Sequence, residues 1–210
     1  MSNSLPLHLR LSQFGGFRGG SVSTMVMTGG TSGFGAIAAE RLTLSGNARL
    51  ILGARRPTSV GASIPLDLTE LDSVRAFATS VRERLGDTPV DRLVLNAGVV
   101  LPDVAGRTVD GFETTFAVNH LAHYLLLRLL LPALADRAIV VLTTSGTHDP
   151  ANHAGLAPPR HADAELLAHP PERLIWNGED GLPYLRVLVR LRPSRTEIGV
   201  EETHEADRQP

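Results

Sequence analysis

Short apolar runs alternate with amphipathic stretches along most of the chain. Five of the runs predict β-strands. Four lie at residues 24–28, 49–54, 91–96 and 138–142, and a short third strand leads through Ile64 to Asp67. Most of them are continuously apolar instead of alternating with polar residues, which is typical of parallel strands covered on both faces. Helical patterns separate the runs, and crossovers between parallel strands are right-handed. The pattern therefore predicts an α/β fold with a doubly wound parallel sheet.

The clearest helical pattern lies between the third and fourth predicted strands. Thr69 and Asp72 form a T-x-x-D capping box, and Gly86 marks the end of the helix. One apolar stripe follows the helical period: Leu71, Val74, Phe77, Val81 and Leu85. A longer helix is predicted from about residue 111 to residue 135, just before the last strand.

Both ends of the chain depart from this pattern. Residues 1–22 are rich in glycine and serine and have no sustained period, so they are predicted to form a flexible tail. Eight of the 14 prolines lie in residues 150–210, where apolar periodicity fades. We expect one folded domain over residues 23–190 and a polar tail over residues 191–210.

Composition excludes several kinds of chemistry. All 20 basic residues are arginine, so the chain has no Schiff-base lysine and no lysine for a phosphate-binding GxxxxGK[ST] loop. It has no cysteine, which excludes disulfides, a thiol nucleophile and thiolate metal sites. A net charge of −2 and a pI near 6.4 argue against nucleic acid and anionic membranes as partners.

No targeting or membrane-spanning segment is predicted. The first apolar residues are broken by His8 and Arg10, unlike those of a signal peptide. The most apolar stretch, residues 125–135, contains Arg128 and Pro132 and is far shorter than the roughly 20 apolar residues that a spanning helix needs. Together with the absence of cysteine, these features lead us to expect a cytoplasmic protein.

A glycine-rich motif connects the first strand to the first helix. The segment TGGTSGFG places Gly29, Gly33 and Gly35 in this turn. Glycine lets the backbone approach a pyrophosphate, whose charge is favourable at a helix N-terminus. A simple glycine-rich turn is the alternative, but the strand before the motif and the helix after it favour a dinucleotide site.

Three motifs in order resemble those of the short-chain dehydrogenase/reductase family. TGGTSGFG is similar to the family's TGxxxGxG, the NAG of Asn96–Gly98 is similar to its NNAG, and Asp67 with Leu68 resembles its adenine-contacting pair. Residues 118–134 and 143–150 resemble the branch that contains retinol dehydrogenases and protochlorophyllide reductases. The resemblance covers about residues 24–150, and the part that follows is truncated or degenerate by comparison.

This resemblance implies a Rossmann-like dinucleotide-binding domain over residues 23–190 that lacks the last strands of the family. It also implies hydride transfer between a nicotinamide cofactor and a small-molecule carbonyl or alcohol. The residues expected to bind the cofactor are Gly29, Thr31, Ser32, Gly33, Phe34, Gly35, Arg55, Arg56, Asp67, Leu68, Asn96, Ala97 and Gly98.

The end of the second strand predicts which cofactor is preferred. Family members that prefer NAD usually carry Asp or Glu there to bind the ribose hydroxyl, whereas this chain has Arg55 and Arg56. A guanidinium group suits the extra phosphate of NADP. We therefore expect NADP(H) to be preferred over NAD(H), the alternative being two solvated surface arginines.

The resemblance also suggests catalytic residues. Ser145 would bind the substrate oxygen, Asn119 would support a water-linked proton path, and Tyr184 would be the proton donor. In the family's YxxxK motif a lysine lowers the pKa of the tyrosine, but Leu188 stands at that position here. Arg186 and Arg190 would not share a helix face with Tyr184. Two hypotheses follow: an NADP(H)-dependent oxidoreductase, or a truncated or frameshifted remnant that binds the dinucleotide without catalysis.

His120 and His123 lie three residues apart in the long helix, but no HExxH pattern accompanies them, so we expect no metal site.

The resemblance implies that family members pair with a second subunit through helices in the part of the chain that here departs from the family pattern. A homo-oligomer is therefore doubtful.

Overall fold

The computed structural model describes residues 22–101, 105–144 and 162–170. Their centre is a five-stranded parallel sheet with the strand order β3-β2-β1-β4-β5. The strands are β1 (Ser23–Thr28), β2 (Ala48–Ala54), β3 (Ala62–Pro65), β4 (Val90–Leu95) and β5 (Leu134–Leu142). The predicted doubly wound, Rossmann-like α/β fold is confirmed for this part of the chain.

Helices cover both faces of the sheet. The described α-helices are α1 (Gly33–Leu44), α2 (Leu71–Leu85), α3 (Thr114–Phe116), α4 (Ala122–Leu130) and α5 (Ala164–Ala168). Side chains of β1 alternate between two hydrophobic clusters. Val26 belongs to the larger cluster, which contains residues of α2 and α4, whereas Met25 and Met27 pack in the smaller one with Ala39 of α1. The sheet is therefore buried from both sides at β1, as its uninterrupted apolar sequence predicts.

The apolar stripe of α2 packs into the larger cluster. Val74, Phe77 and Val81 are completely buried, and Leu85 is nearly so. Leu126 and Leu130 of α4 belong to the same cluster. The predicted periodicity of α2 is confirmed for Val74, Phe77, Val81 and Leu85, whereas Leu71 at the start of the helix is only partly buried.

The beginning of α2 differs from the predicted capping box. The helix begins at Leu71 with Glu70 as its N-cap, and Glu70 makes no capping bond through its side chain. The Thr69 hydroxyl instead donates to Asp67 Oδ1 at 2.7 Å. The Leu71 N–H donates to Asp110 Oδ2 at 2.9 Å, so a residue from a distant loop caps the helix. The capping-box prediction was wrong because Asp67, two residues before Thr69, competes for its hydroxyl.

The predicted long helix runs through four segments from Thr114 to Ala133. The short helix α3 is followed by a π-helical turn at Ala117–Leu121, then α4, then a 3-10 turn at Leu131–Ala133. The Glu113 carboxylate accepts the N–H groups of Thr115 and Phe116 and so caps the first turn. The helix is shorter at both ends than predicted, and β5 begins directly after it at Leu134.

Residues Thr114–Ala133 form a helix long and apolar enough to cross a membrane by those two criteria. Ala122, Leu126 and Leu130 are nevertheless completely buried in the larger hydrophobic cluster. A third of the apolar window is buried, and packing in this cluster accounts for that part of its apolar character.

Candidate functional site

A cleft lies at the carboxyl ends of β1, β2, β3 and β4. Its volume is about 350 Å³, and it is located where the strand order changes direction between β1 and β4. Ligands of doubly wound folds bind at such a switch point. Eleven of the residues that the sequence predicted to bind a cofactor line the cleft: Gly29, Thr31, Ser32, Phe34, Gly35, Arg55, Asp67, Leu68, Asn96, Ala97 and Gly98. Gly33 and Arg56 are not among the lining residues.

The glycine turn requires glycine for two different reasons. Gly29 has a φ of +67°, and a Cβ atom there would lie 2.6 Å from the Ala97 Cα atom. A Cβ atom on Gly35 would overlap the carbonyl oxygen of Gly29. Gly33 has a φ of +53° but open space beside it. Two of the glycines therefore permit close packing of the backbone, and the third permits the left-handed conformation before α1.

The N-terminus of α1 is open toward the cleft. Ser32 is the N-cap residue, but its side chain makes no capping hydrogen bond, and the first turn of the helix contains no acidic residue. Ser32 itself lines the cleft. The first N–H groups of a helix carry a partial positive charge and bind anions when no side chain caps them. The turn and the helix together fit the pyrophosphate of a dinucleotide.

Asp67 and Leu68 lie after β3 at the adenine-binding position that the resemblance implies. Asp67 Oδ1 accepts hydrogen bonds from the backbone N–H and the hydroxyl of Thr69, at 2.9 and 2.7 Å. The Asp67 N–H donates to Ser73 Oγ of α2 at 2.9 Å. These bonds fix the Asp67 carboxylate at the wall of the cleft, where Oδ2 is the oxygen outside this local turn.

Arg55 and Arg56 follow β2 directly, and both are exposed. Arg55 lines the cleft, on the same side as Gly53, Ala54 and Asp67. No acidic residue stands at the end of β2 in the positions that would bind a ribose hydroxyl. Arg55 therefore brings a guanidinium group to the edge of the cleft at the end of β2.

The turn that follows β4 is tied to its neighbours by side chains. Thr28 Oγ1 accepts the N–H groups of Asn96 and Ala97 at 3.0 and 3.1 Å. The Asn96 side chain donates to the Gly29 carbonyl at 3.1 Å and accepts the Thr143 hydroxyl at 2.9 Å. The ends of β1, β4 and β5 are therefore joined at the base of the cleft.

Asn119 lies in the π-helical turn and contacts the wall of the cleft. Its side-chain oxygen accepts the Val99 N–H and its side-chain nitrogen donates to the Val99 carbonyl, both at 2.8 Å. Val99 lines the cleft. The side chain of Asn119 thus fixes the segment after β4, while its predicted role in a proton path remains a prediction.

His123 is a residue at this site that the sequence analysis did not assign to it. Its ring is 4% exposed, and Nε2 lies 3.0 Å from Thr28 Oγ1. Nδ1 lies 3.3 Å from the Asn119 carbonyl oxygen. The pKa of His123 is lowered to about 4, mainly because the ring is buried; the bond to Asn119 opposes the shift, and the charge of neighbouring His120 makes a smaller contribution in the lowering direction. The signal in the sequence is its spacing, four residues after Asn119 and on the same stripe as Leu126 and Leu130.

Two predicted catalytic residues lie outside the described residues: Ser145 and Tyr184. The described part of β5 ends near the cleft, where the Thr143 N–H donates to the Leu95 carbonyl at 3.1 Å. Within residues 22–101, 105–144 and 162–170, no three histidine or acidic side chains come together as metal ligands.

Comparison with known proteins agrees with this architecture. Residues 23–155 match the family model of the short chain dehydrogenases. The chain is 37% identical over 158 residues to protochlorophyllide reductase B of Oryza sativa subsp. japonica, and 35% identical over 156 residues to the enzyme of that name from Hordeum vulgare. These alignments cover 65% and 64% of the chain but only 38% of either relative. The chain thus spans about two fifths of the length of these relatives.

Solved structures share the fold over a similar part of the chain. A metagenomic short-chain oxidoreductase, solved in complex with NADP, is 32% identical with a TM-score of 0.51, and the match covers 61% of this chain and 65% of the other. An uncharacterized protein from Mycobacterium paratuberculosis is 37% identical with a TM-score of 0.51, with 61% and 48% covered. Residues 23–155, which match the family model, include all the residues that line the cleft.

Proposed function

Because the chain belongs to the short-chain dehydrogenase family, we propose that it binds a nicotinamide dinucleotide in this cleft and acts as an oxidoreductase on a small-molecule carbonyl or alcohol. The observation that carries the proposal is the meeting of three sequence motifs at one cleft: the glycine turn, the Asp67 turn and the Asn96–Gly98 turn. These motifs lie up to 69 residues apart in the sequence, as in the pair Thr28 and Ala97.

Each part of the cleft has a role toward the cofactor. The glycine turn and the first N–H groups of α1 would bind the pyrophosphate, and Asp67 and Leu68 would bind the adenine. The bound nicotinamide would supply or accept the hydride. The protein's own contribution here is to orient the dinucleotide along the ends of the strands.

We propose that the preferred cofactor is NADP(H). Arg55 lines the cleft after β2, where a guanidinium group can bind the additional phosphate of NADP(H). A structural relative solved with NADP supports this choice. In the Arg55→Asp variant, NADPH should bind about tenfold to a hundredfold more weakly, because a charge-assisted contact is replaced by repulsion. NADH affinity should change much less.

Arg56 provides the matched control. It is adjacent, exposed and equally charged, but it is not among the residues that line the cleft. Titration of both nucleotides by fluorescence should therefore give Arg56→Asp a preference close to that of the unmodified protein. An Arg55→Asp variant that still prefers NADPH would overturn the cofactor assignment.

For the chemical step, the resemblance assigns Ser145 to the substrate oxygen, Tyr184 to proton transfer and Asn119 to the support of the proton path. A specific observation favours a second candidate function, the binding of a dinucleotide without catalysis. The chain contains no lysine, and an unperturbed phenol has a pKa of about 10, which is too high for efficient proton transfer at neutral pH.

Binding and turnover measurements separate the two candidates. NADPH is titrated first, and its absorbance is then followed with a panel of aldehydes and ketones, and that of NADP⁺ with alcohols. Binding followed by turnover supports the oxidoreductase, and binding without turnover supports the second candidate. The absence of binding by any nicotinamide dinucleotide would contradict both.

A further inference from the structure

The Thr28 hydroxyl has three hydrogen-bonding neighbours. The N–H groups of Asn96 and Ala97 approach it at 3.0 and 3.1 Å, and His123 Nε2 approaches it at 3.0 Å. A hydroxyl has two lone pairs and one proton. Both N–H groups can only donate, so they occupy the two lone pairs, and the proton is left for Nε2. In this arrangement His123 Nε2 is the acceptor.

The other ring nitrogen of His123 must then carry the proton. Nδ1 lies 3.3 Å from the Asn119 carbonyl oxygen, which can only accept a hydrogen bond. The neutral tautomer with hydrogen on Nδ1 is the one that satisfies both contacts. A proton on Nε2 would point at a hydroxyl whose lone pairs are already occupied. Burial, which lowers the pKa of His123 to about 4, keeps the ring neutral at neutral pH.

These contacts connect three segments at the base of the cleft. Thr28 is the last residue of β1 and comes directly before Gly29, and its hydroxyl holds the turn that contains Asn96 and Ala97. Gly29 packs against this turn so closely that no side chain fits between them. Asn119, whose carbonyl oxygen accepts a hydrogen bond from His123 Nδ1, binds Val99 through its side chain. His123 itself is not among the residues that line the cleft.

We propose that His123 is a positioning residue for dinucleotide binding: its ring fixes the direction of the Thr28 hydroxyl and thereby holds the glycine turn against the Asn96–Gly98 turn. This inference rests on the proposed function, because it assumes that the cleft binds a dinucleotide. It assigns His123 no contact with the cofactor. The hydrogen bond to Thr28 determines how His123 affects dinucleotide affinity, and the hydrogen bond to Asn119 orients the ring for it.

Two substitutions separate the two bonds. In His123→Gln the side-chain amide reaches about as far as Nε2, and its oxygen can accept the Thr28 proton. In His123→Asn the amide lies near the position of Nδ1, so it can donate to the Asn119 carbonyl but does not reach Thr28. His123→Leu removes both bonds with a similar volume. His120→Gln is the matched control, because His120 lies in the same helix, is only half-buried and contacts Phe116.

NADPH affinity is measured by fluorescence titration of the full chain. His123→Gln and His120→Gln should bind within about twofold of the unmodified protein, whereas His123→Asn and His123→Leu should bind about five- to tenfold more weakly. A purely structural role would lower the melting temperature of the Gln and Asn variants without this order of affinities. Equal affinity in all variants, or equal loss in Gln and Leu, would overturn the inference.

Amide hydrogen exchange in the protein without nucleotide tests the hydrogen bonds separately. The Asn96 and Ala97 N–H groups should exchange about five- to tenfold faster in His123→Leu and His123→Asn than in His123→Gln. Unchanged exchange would overturn the positioning role. If the unmodified protein bound no nicotinamide dinucleotide, the proposed function would fail and with it the link to binding, whereas the exchange rates would still decide whether His123 orders the two turns.

Discussion

At the scale of single residues, polar side chains hold the base of the cleft together by hydrogen bonds between different segments of the chain. Asn96 donates through its side chain to Gly29 and accepts from Thr143, and Asn119 makes two bonds with Val99. Thr28 is completely buried, so a lost partner for its hydroxyl would not be replaced by bulk water. Buried polar groups without partners are costly, and this explains why small changes here should affect the whole cleft.

His123 should make the stability of the protein depend on pH. Its pKa is lowered from 6.5 to about 4 in the folded state, so the unfolded chain binds the proton more tightly. The stabilisation is complete above pH 6.5, and it is lost as the pH falls toward 4. Urea unfolding of the unmodified protein and of His123→Gln at several pH values should show a difference in unfolding free energy that shrinks by about 3 kcal/mol over this window.

Carboxylates titrate in the same pH range, but they contribute equally to the unfolding free energies of the unmodified protein and of His123→Gln. The difference between the two proteins therefore removes their contribution. His120→Gln is the control, because burial lowers the pKa of this half-buried ring in the same direction. The His120→Gln variant should retain most of the pH dependence of the unfolding free energy that His123→Gln loses. If the pH dependence of His123→Gln matched that of the unmodified protein, the ring would not be a buried neutral group.

The sequence predicted some of these residues and not others for a physical reason. Gly29 could be found because a glycine turn between a strand and a helix is visible in the sequence, whereas Asn96 and Asp67 were found through the resemblance of their motifs to those of the family. His123 could not be placed from the sequence, because its partner Thr28 lies 95 residues away. Its tautomer follows only from which donors surround that hydroxyl.

At the scale of secondary structure elements, the beginning of α2 shows how tertiary contacts override local signals. Thr69 and Asp72 have the spacing of a capping box, but the Thr69 hydroxyl bonds Asp67, and Asp110 from a distant loop accepts the first N–H of the helix. The apolar stripe of α2 was predicted correctly, because burial of its face depends on helical period alone. The capping residue was not predicted correctly, because Asp110 lies 39 residues away from Leu71 in the sequence.

Asp110→Ala should therefore destabilise α2 more than a change at Asp72. Loss of the acceptor for the Leu71 N–H should lower the unfolding free energy by about 1 kcal/mol, the usual contribution of an N-cap bond. Asp72 is fully exposed and forms a 3.8 Å ion pair with Arg75, so Asp72→Ala should change stability little. Urea denaturation of both variants checks this. A larger loss of stability in Asp72→Ala than in Asp110→Ala would support the capping box that the sequence predicted.

The long helix contains an irregularity that apolar periodicity does not reveal. Its π-helical turn at Ala117–Leu121 includes Asn119, whose amide binds the backbone of Val99. π-helical turns occur frequently at functional sites. The apolar stripe continues through α4 to Leu126 and Leu130, so the sequence indicates one continuous helix. Asn119 makes this contact with a residue outside the helix, and local sequence patterns do not contain such contacts.

At the scale of the molecule, the order of the strands creates the cleft. β1 lies between β2 and β4, with crossovers leaving in opposite directions, so the turns after β1 and β4 diverge and leave a space between them. The fold class was predictable because continuous apolar strands separated by helices have few other arrangements. The arginines at the end of β2 needed the structure to distinguish them, since Arg55 lines the cleft and Arg56 does not.

If this cleft is a dinucleotide site, nucleotide binding must stabilise the folded chain as a whole. A ligand that binds only the folded state at about 100 times its dissociation constant adds about 2.7 kcal/mol to the unfolding free energy. For a chain of this length that corresponds to a rise in melting temperature of about 5–10 °C. Thermal unfolding should show this rise with NADPH and a smaller one with NADH at the same concentration, because only NADPH carries the phosphate that Arg55 would bind.

ATP is the control for this measurement, because it offers adenine and phosphates to Asp67 and the glycine turn but has no nicotinamide half. A rise with ATP equal to that with NADPH would mean that the cleft recognises a polyphosphate and not a dinucleotide. No rise with any of the three would contradict a nucleotide site here, since a ligand that binds the folded state must stabilise it.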